Sequence, residues 1–198
     1  MQQRIDYIDI AKAVAIISVV VGHVLQVDLY GWGLGKSLLS KMVCSYHNYL
    51  FMFLSGMVSV TVIEKSQILP DIYKRFRRMI VPAVIIGVPY AYWTGADIVI
   101  FFHDSWKWGY WYLFVLFFLY LISYSFAFLQ SKYLKWAYVS VVPIWLLAYL
   151  GSHMLPQTIH DILSIDLILK FFPFFFIGET HIEEYTRCDE DCLFSGVV

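Results

Sequence analysis

The sequence predicts an all-α protein, a polytopic transmembrane helix bundle of about six spans. Three observations carry that prediction. The chain is 60% hydrophobic and 15% charged, with a mean hydropathy of +0.67, whereas soluble chains average about 45–50% apolar and about 25% charged. Its apolar residues gather at 8–27, 38–63, 79–102, 108–129, 133–151 and 162–178. Each stretch is near the ~20 residues that a hydrocarbon core of ~30 Å requires. Between them, basic and poorly basic loops alternate, as they do around membrane spans.

The first span is apolar from Ile8 to Val27 yet carries Asp9, Lys12 and His23. At about 100° per residue these fall on one stripe with Ile16 and Val19. A charge facing lipid costs on the order of 2.5–3.5 kcal/mol, so the stripe is expected to face protein or a wet cavity. A His held there stays a neutral base near pH 7 and can take the proton of an attacking hydroxyl. The alternative is a structural Asp9–Lys12 pair with an interfacial His23. Arg4 before the apolar run imitates a signal peptide, but Asp9 and Lys12 interrupt it. The span is therefore expected to be uncleaved.

The loops set an orientation. Residues 64–78 hold Lys65, Lys74, Arg75, Arg77 and Arg78, and Lys132 and Lys135 fall between spans four and five. The opposite loops carry only Lys36 and Lys41, then Lys107, then neither Lys nor Arg in 152–161. The basic loops, and with them the N-terminus, are expected in the cytoplasm of a multi-pass plasma-membrane protein, with His23 toward the outer end of span one. Tyr30, Trp32, Trp106, Trp108, Tyr110, Trp111 and Trp136 lie near span ends, as an interfacial belt would.

Span two contains Tyr46-His-Asn-Tyr-Leu-Phe-Met-Phe-Leu-Ser-Gly56. His47 starts at about the depth His23 reaches, with Asn48, Met52, Ser55 and Ser59 on one face, and the Ser-Gly pair permits close helix approach. His47 reads either as a second catalytic group or as packing glue. Ahead of span three, Tyr73-Lys-Arg-Phe-Arg-Arg-Met-Ile-Val-Pro82 puts Arg75 and Arg78 on one helix face. That cluster reads as a phosphate grip, or simply as an anchor for anionic lipid.

Other features say less. His103, Asp104, His153, His160 and Asp161 read as solvated loop, and Lys170 as a snorkelling side chain. A net charge of −1 and the lack of a basic tail argue against nucleic acid. Cys44, Cys188 and Cys192 are too few for a disulfide framework. His181 with Cys188 and Cys192 matches no standard zinc spacing, so no metal is expected. Residues 179–198, with six carboxylates between Glu179 and Asp191 against Arg187, read as a disordered cytoplasmic tail after a membrane domain at 1–178.

Together the motifs resemble the acyltransferase 3 family of multi-span membrane proteins, and within it the fucose 4-O-acetylase-like branch. The resemblance rests on Tyr7-Ile-Asp-Ile-Ala-Lys12 through Gly22-His23, with the basic residue and the His separated by ten as in the family's Arg/Lys-x10-His. It rests also on His47-Asn-Tyr-Leu-Phe-Met-Phe-Leu-Ser-Gly56, similar to the family's His-x-Pro-Leu-Phe-Phe-Phe-Leu-Ser-Gly, and on Arg75-x-x-Arg78 before Pro82. Trp111-Tyr-Leu resembles a later Trp-Phe-Leu element, and Phe171–Gly178 the Phe-rich sixth span. Asn48-Tyr49 stands where the family has x-Pro. About ten spans are usual in the family, so six would mark a truncated chain.

The resemblance implies an O-acetyltransferase that draws acetyl-CoA from the cytoplasm and acylates a sugar hydroxyl of a cell-envelope or lipid-linked glycan. His23 and His47 would be catalytic, Lys12, Arg75 and Arg78 would serve the CoA side, and Asn48 and Trp111 the acceptor. Two routes are open, with His23 as base or as carrier of the acetyl group. Two other functions stay open: a proton-coupled small-solute transporter, which the buried charges fit, and an inactive truncated remnant of the acyltransferase, which the acidic tail suggests.

Overall fold

A computed structural model describes residues 6–26, 37–59, 68–95 and 98–194. The elements are α1 (Asp6–Gln26), α2 (Leu38–Met57), α3 (Ile68–Trp93), α4 (Ile98–His103), a 3₁₀ turn (Lys107–Gly109), α5 (Trp111–Ser152), α6 (Gln157–Leu163) and α7 (Ile165–Phe194). No strand occurs among the described residues, so the all-α class is seen. Among the described residues, no helix is long and apolar enough to cross a membrane. The chain divides into two compact units, residues 1–60 with 174–198, and residues 61–173.

Several boundaries differ from the sequence expectation, each for a local reason. Spans four and five are one helix, α5, because Gln130-Ser-Lys-Tyr133 between them contains neither Gly nor Pro. At ~1.5 Å per residue its 42 residues run to roughly 63 Å. The loop expected before Met79 is the start of α3, with Asp71 in its first turn, so Lys74, Arg75, Arg77 and Arg78 ride on a helix. The third span stops at Trp93, where Gly95 takes φ +91° and ends the helix. The acidic stretch after Gly178, expected to be disordered, continues α7 to Phe194. Lys36, Lys65, Tyr30 and Trp32 lie outside the described residues, as do the side chains of Asp9, Cys44, His181, Cys188 and Cys192.

In the first unit, α1 meets α2 through small residues. Ala15, Ser18 and Gly22 are buried; Ala15, with Ala11 beside it, packs in a cluster with Leu54 and Met57 and with Leu50, Phe51 and Phe53 around it, while Gly22 meets Val43 and His47. The opposite face of α1 is apolar and uncovered: Ile10, Ile17 and Val24, seven residues apart, are 65%, 62% and 58% exposed. Gly56 and Gly178 seat α2 against the C-terminal part of α7. A Cβ on Gly56 would stand 2.0 Å from the Phe175 carbonyl oxygen, and one on Gly178 would stand 2.1 Å from that of Phe53. The two backbones touch there because neither residue has a side chain.

In the second unit, α3 and α5 run antiparallel. A Cβ on Gly87 would lie 3.0 Å from Tyr110, Phe76 stacks edge-on with Phe117, and Asp71 bonds Tyr124. Ala83, Ala91, Phe101 and Phe114 form the core between α3, α4 and α5. Ends of α4 and α6 are tied by one side chain, Lys107. Its ammonium donates to the carbonyl oxygens of Phe102 (2.8 Å), Asp104 (2.8 Å) and Asp161 (2.7 Å), groups the two short helices leave without intrahelical partners. Burial pulls its pKa down to about 8, against the charges of Asp104 and Asp161. At neutral pH it therefore still holds all three protons. Around it, Ser105 Oγ donates to Asp161 Oδ1 and Ser164 Oγ to the Ser105 carbonyl. His160, expected in solvated loop, is buried and its Nε2 bonds the Ser152 carbonyl at 2.6 Å.

Candidate functional site

The candidate residues fall into two groups, one in each unit. In the first unit, α1 runs unbroken from Asp6 to Gln26, so Lys12 and His23 do share a flank, three turns and about 16 Å apart along the axis. That flank lies roughly 90° around from the Ala15–Ser18–Gly22 seam. Lys12 is half-buried and His23 is exposed. The stripe expected to face protein or a wet cavity leaves His23 exposed: the small residues, not the polar stripe, face α2.

His47 is the buried member of the pair, at 5% exposure. Its Nδ1 lies 2.7 Å from the Val43 carbonyl oxygen, one turn back on α2. A carbonyl only accepts, so Nδ1 carries a proton, and in the neutral ring Nε2 is the nitrogen left with a lone pair. The ring is seated against Gly22: a Cβ built there would stand 3.5 Å from His47 Cε1. His47 therefore sits level with the residue immediately before His23. One turn toward the N-terminus of α1, Ser18 spends its proton on the Val14 carbonyl (2.9 Å), so the Tyr46 hydroxyl 3.1 Å away donates to it. Asn48 is half-buried, and Met52, Ser55 and Ser59 are buried on the face that the spacing assigns them.

The second group is on α3 and α5. Arg75 Nε donates to Asp71 Oδ2 (2.8 Å) and to the Tyr124 hydroxyl (2.7 Å), and Tyr124 in turn donates to Asp71. The Arg75 guanidinium lies 3.9 Å over the Tyr120 ring. Burial raises the Asp71 pKa, but the bonds from Tyr124 and Arg75 and the charges of Arg75 and Lys74 outweigh it and leave the carboxyl below its usual range. Burial acts against the Arg75 charge too, but Asp71 and the two tyrosines outweigh it and hold the guanidinium more firmly protonated than usual. Arg78 and Arg77 are exposed.

Residues 5–178 match the family model for the acyltransferase 3 family, described as an acyltransferase domain. The chain belongs to the acyltransferase 3 family. Comparison with curated proteins and with solved structures returns no match. The chain is accordingly an acyltransferase, of a family whose members are typically membrane proteins.

For this acyltransferase, the sequence motifs and the geometry agree unevenly. The structure brings His47 to the Gly22–His23 segment and gives it a fixed tautomer. Trp111, expected to touch the acceptor, is buried and stacks on Phe171 with ring centroids 5.2 Å apart, which makes it part of the packing. Asp71, Tyr120 and Tyr124 are partners of Arg75 that sequence reading missed. The i,i+4 spacing of Asp71 with Arg75, and of Tyr120 with Tyr124, was the available signal. Among the described residues no group of three or more His, Cys, Asp or Glu is placed to hold a metal.

Proposed function

We propose that this acyltransferase is a multi-pass membrane O-acetyltransferase of the fucose 4-O-acetylase-like branch. It moves an acetyl group from cytoplasmic acetyl-CoA to a sugar hydroxyl of a cell-envelope or lipid-linked glycan, with no metal. The acceptor hydroxyl attacks the thioester carbonyl, forming the C–O bond as the C–S bond breaks. His23 takes the hydroxyl proton, and the CoA thiolate leaves. His47 presents Nε2 to the same chemistry from α2, and Asn48 orients the acceptor. Lys12, Arg75 and Arg78 serve the donor's phosphates, since Arg forks bind phosphate oxygens bidentately.

One observation carries this reading: a histidine with a fixed tautomer, buried on α2 against Gly22, stands level with the exposed His23 of a family motif. Membrane residence is supported by apolar side chains that would otherwise face water, on α1 and also at Ile85, Leu147 and Leu150 of α3 and α5. The test is release of CoA from acetyl-CoA by the purified chain in lipid, with and without sugar acceptors. Acceptor-dependent release that disappears in His23→Ala supports the reading. Release unchanged by that substitution overturns it, and labelled acetyl retained on His23 when acceptor is withheld would replace the base with an acyl carrier.

A further inference from the structure

The planar Arg75 guanidinium offers three edges and two faces, and one edge and one face are taken. Its Nε edge is spent on Asp71 (2.8 Å) and Tyr124 (2.7 Å), and one face is covered by the Tyr120 ring at 3.9 Å. Asp71 and Tyr124 are bonded to each other, so the three groups close a ring of contacts between α3 and α5. The two terminal nitrogens make no hydrogen bond among the described residues, although the side chain is only 19% exposed. A guanidinium clamped along one edge and one face points its remaining four N–H groups in one fixed direction. Arg78, on the same helix face, is exposed.

We propose that Asp71, Tyr120 and Tyr124 are positioning residues that aim the terminal nitrogens of Arg75 at a phosphate of the acyl donor. The proposal rests on the reading of Arg75 as a donor grip and adds the residues that set its direction. Positioning and charge predict opposite results at Asp71. Removing its negative charge makes the surroundings more cationic, and by charge alone an anion would bind tighter. If Asp71 works by fixing the fork, its loss weakens binding, because a freely rotating guanidinium must be ordered when the phosphate arrives.

The experiment is equilibrium binding of coenzyme A to the purified full chain in detergent, which needs no turnover, with circular dichroism melts to check each fold. Asp71→Asn and Tyr124→Phe are each expected to weaken coenzyme A about tenfold. Tyr120→Leu removes the ring that covers one face of the guanidinium and is expected to weaken binding as well. On an Arg75→Ala background, Asp71→Asn and Tyr124→Phe are expected to have no further effect, which a merely structural role would not produce. Tighter binding by Asp71→Asn, or single variants that bind normally while Arg75→Ala binds poorly, overturns the positioning role alone. If Arg75→Ala itself binds coenzyme A as wild type does, or if the wild-type chain binds none, the donor-grip reading fails and this inference falls with it.

Discussion

Gly56 of α2 lies so close to Phe175 of α7 that a single methyl group on it would stand 2.0 Å from the Phe175 carbonyl oxygen. The contact is reciprocal one turn away, where a methyl group on Gly178 would stand 2.1 Å from the Phe53 carbonyl oxygen. Backbone atoms in two packed helices have no flexible end to move aside. Gly56→Ala and Gly178→Ala are therefore each expected to destabilise the chain by about 3 kcal/mol, the upper range for overpacking. Gly22→Ala is the contrast, since its methyl would meet Val43 and His47 at 3.4 and 3.5 Å, ordinary contact distances. Melting temperatures in one detergent should fall for the first two and hold for the third.

The Asp71 carboxyl gives stability a specific acid limb. Its folded pKa lies below the ordinary value of 3.8 because the bonds from Tyr124 and Arg75 outweigh burial. The unfolded chain thus binds the proton first as pH falls, so the contribution of Asp71 is complete above about pH 4 and drains away below it, through the folded value. The melting temperature of wild type is expected to drop more steeply than that of Asp71→Asn between about pH 4 and pH 2. Parallel curves for the two proteins would show that the clamp adds nothing to stability.

How much of this was legible in the residues divides along a physical line. The apolar stretches announced helices, and the Lys12-x10-His23 spacing survived because α1 has no residue that could break it. The Ser-Gly step of α2 foretold a close crossing, which Gly56 makes. What the sequence could not rank was which face of α1 turns inward. A polar stripe and a small-residue stripe lay about 90° apart, and packing chose Ala15, Ser18 and Gly22 because close approach yields more contact than burying a charge. The break between two spans failed at Gln130–Tyr133 because length, not a helix-stopping residue, had suggested it. The clamp on Arg75 was out of reach since it needs Asp71 and Tyr124 together, 53 positions apart.

Lys107 holds a left-handed backbone, φ +44°, where glycine would sit at no cost. Its side chain answers for the choice by satisfying three carbonyls at the ends of α4 and α6. Lys107→Gly would relieve the backbone yet take the ammonium from the Phe102 and Asp161 carbonyls, while Asp104 keeps only the backbone N–H of residue 107. A net loss of about 1–3 kcal/mol is expected for it, and a larger one for Lys107→Met, which keeps the strain and loses the bonds. Chemical melts of the three proteins give the order wild type, Gly, Met. If Lys107→Gly proves the most stable, the ammonium ties are worth less than the backbone strain.

The two histidines should separate cleanly because one is packed and the other is not. His23 is exposed and makes no hydrogen bond among the described residues, so His23→Ala is expected to change stability by less than about 0.5 kcal/mol. If it is the base, acceptor-dependent CoA release should fall by roughly 10²–10⁴-fold in that well-folded variant. His47 is buried and bonded to the Val43 carbonyl, so His47→Ala mixes lost packing with lost chemistry. His47→Asn resolves the mixture, since an amide can still donate to Val43 yet offers no basic nitrogen at the position of Nε2. A role in proton transfer predicts that His47→Asn melts near wild type with CoA release reduced at least tenfold, at the lower edge of general-base effects. A role confined to packing predicts the reverse: near-normal release wherever the fold is kept.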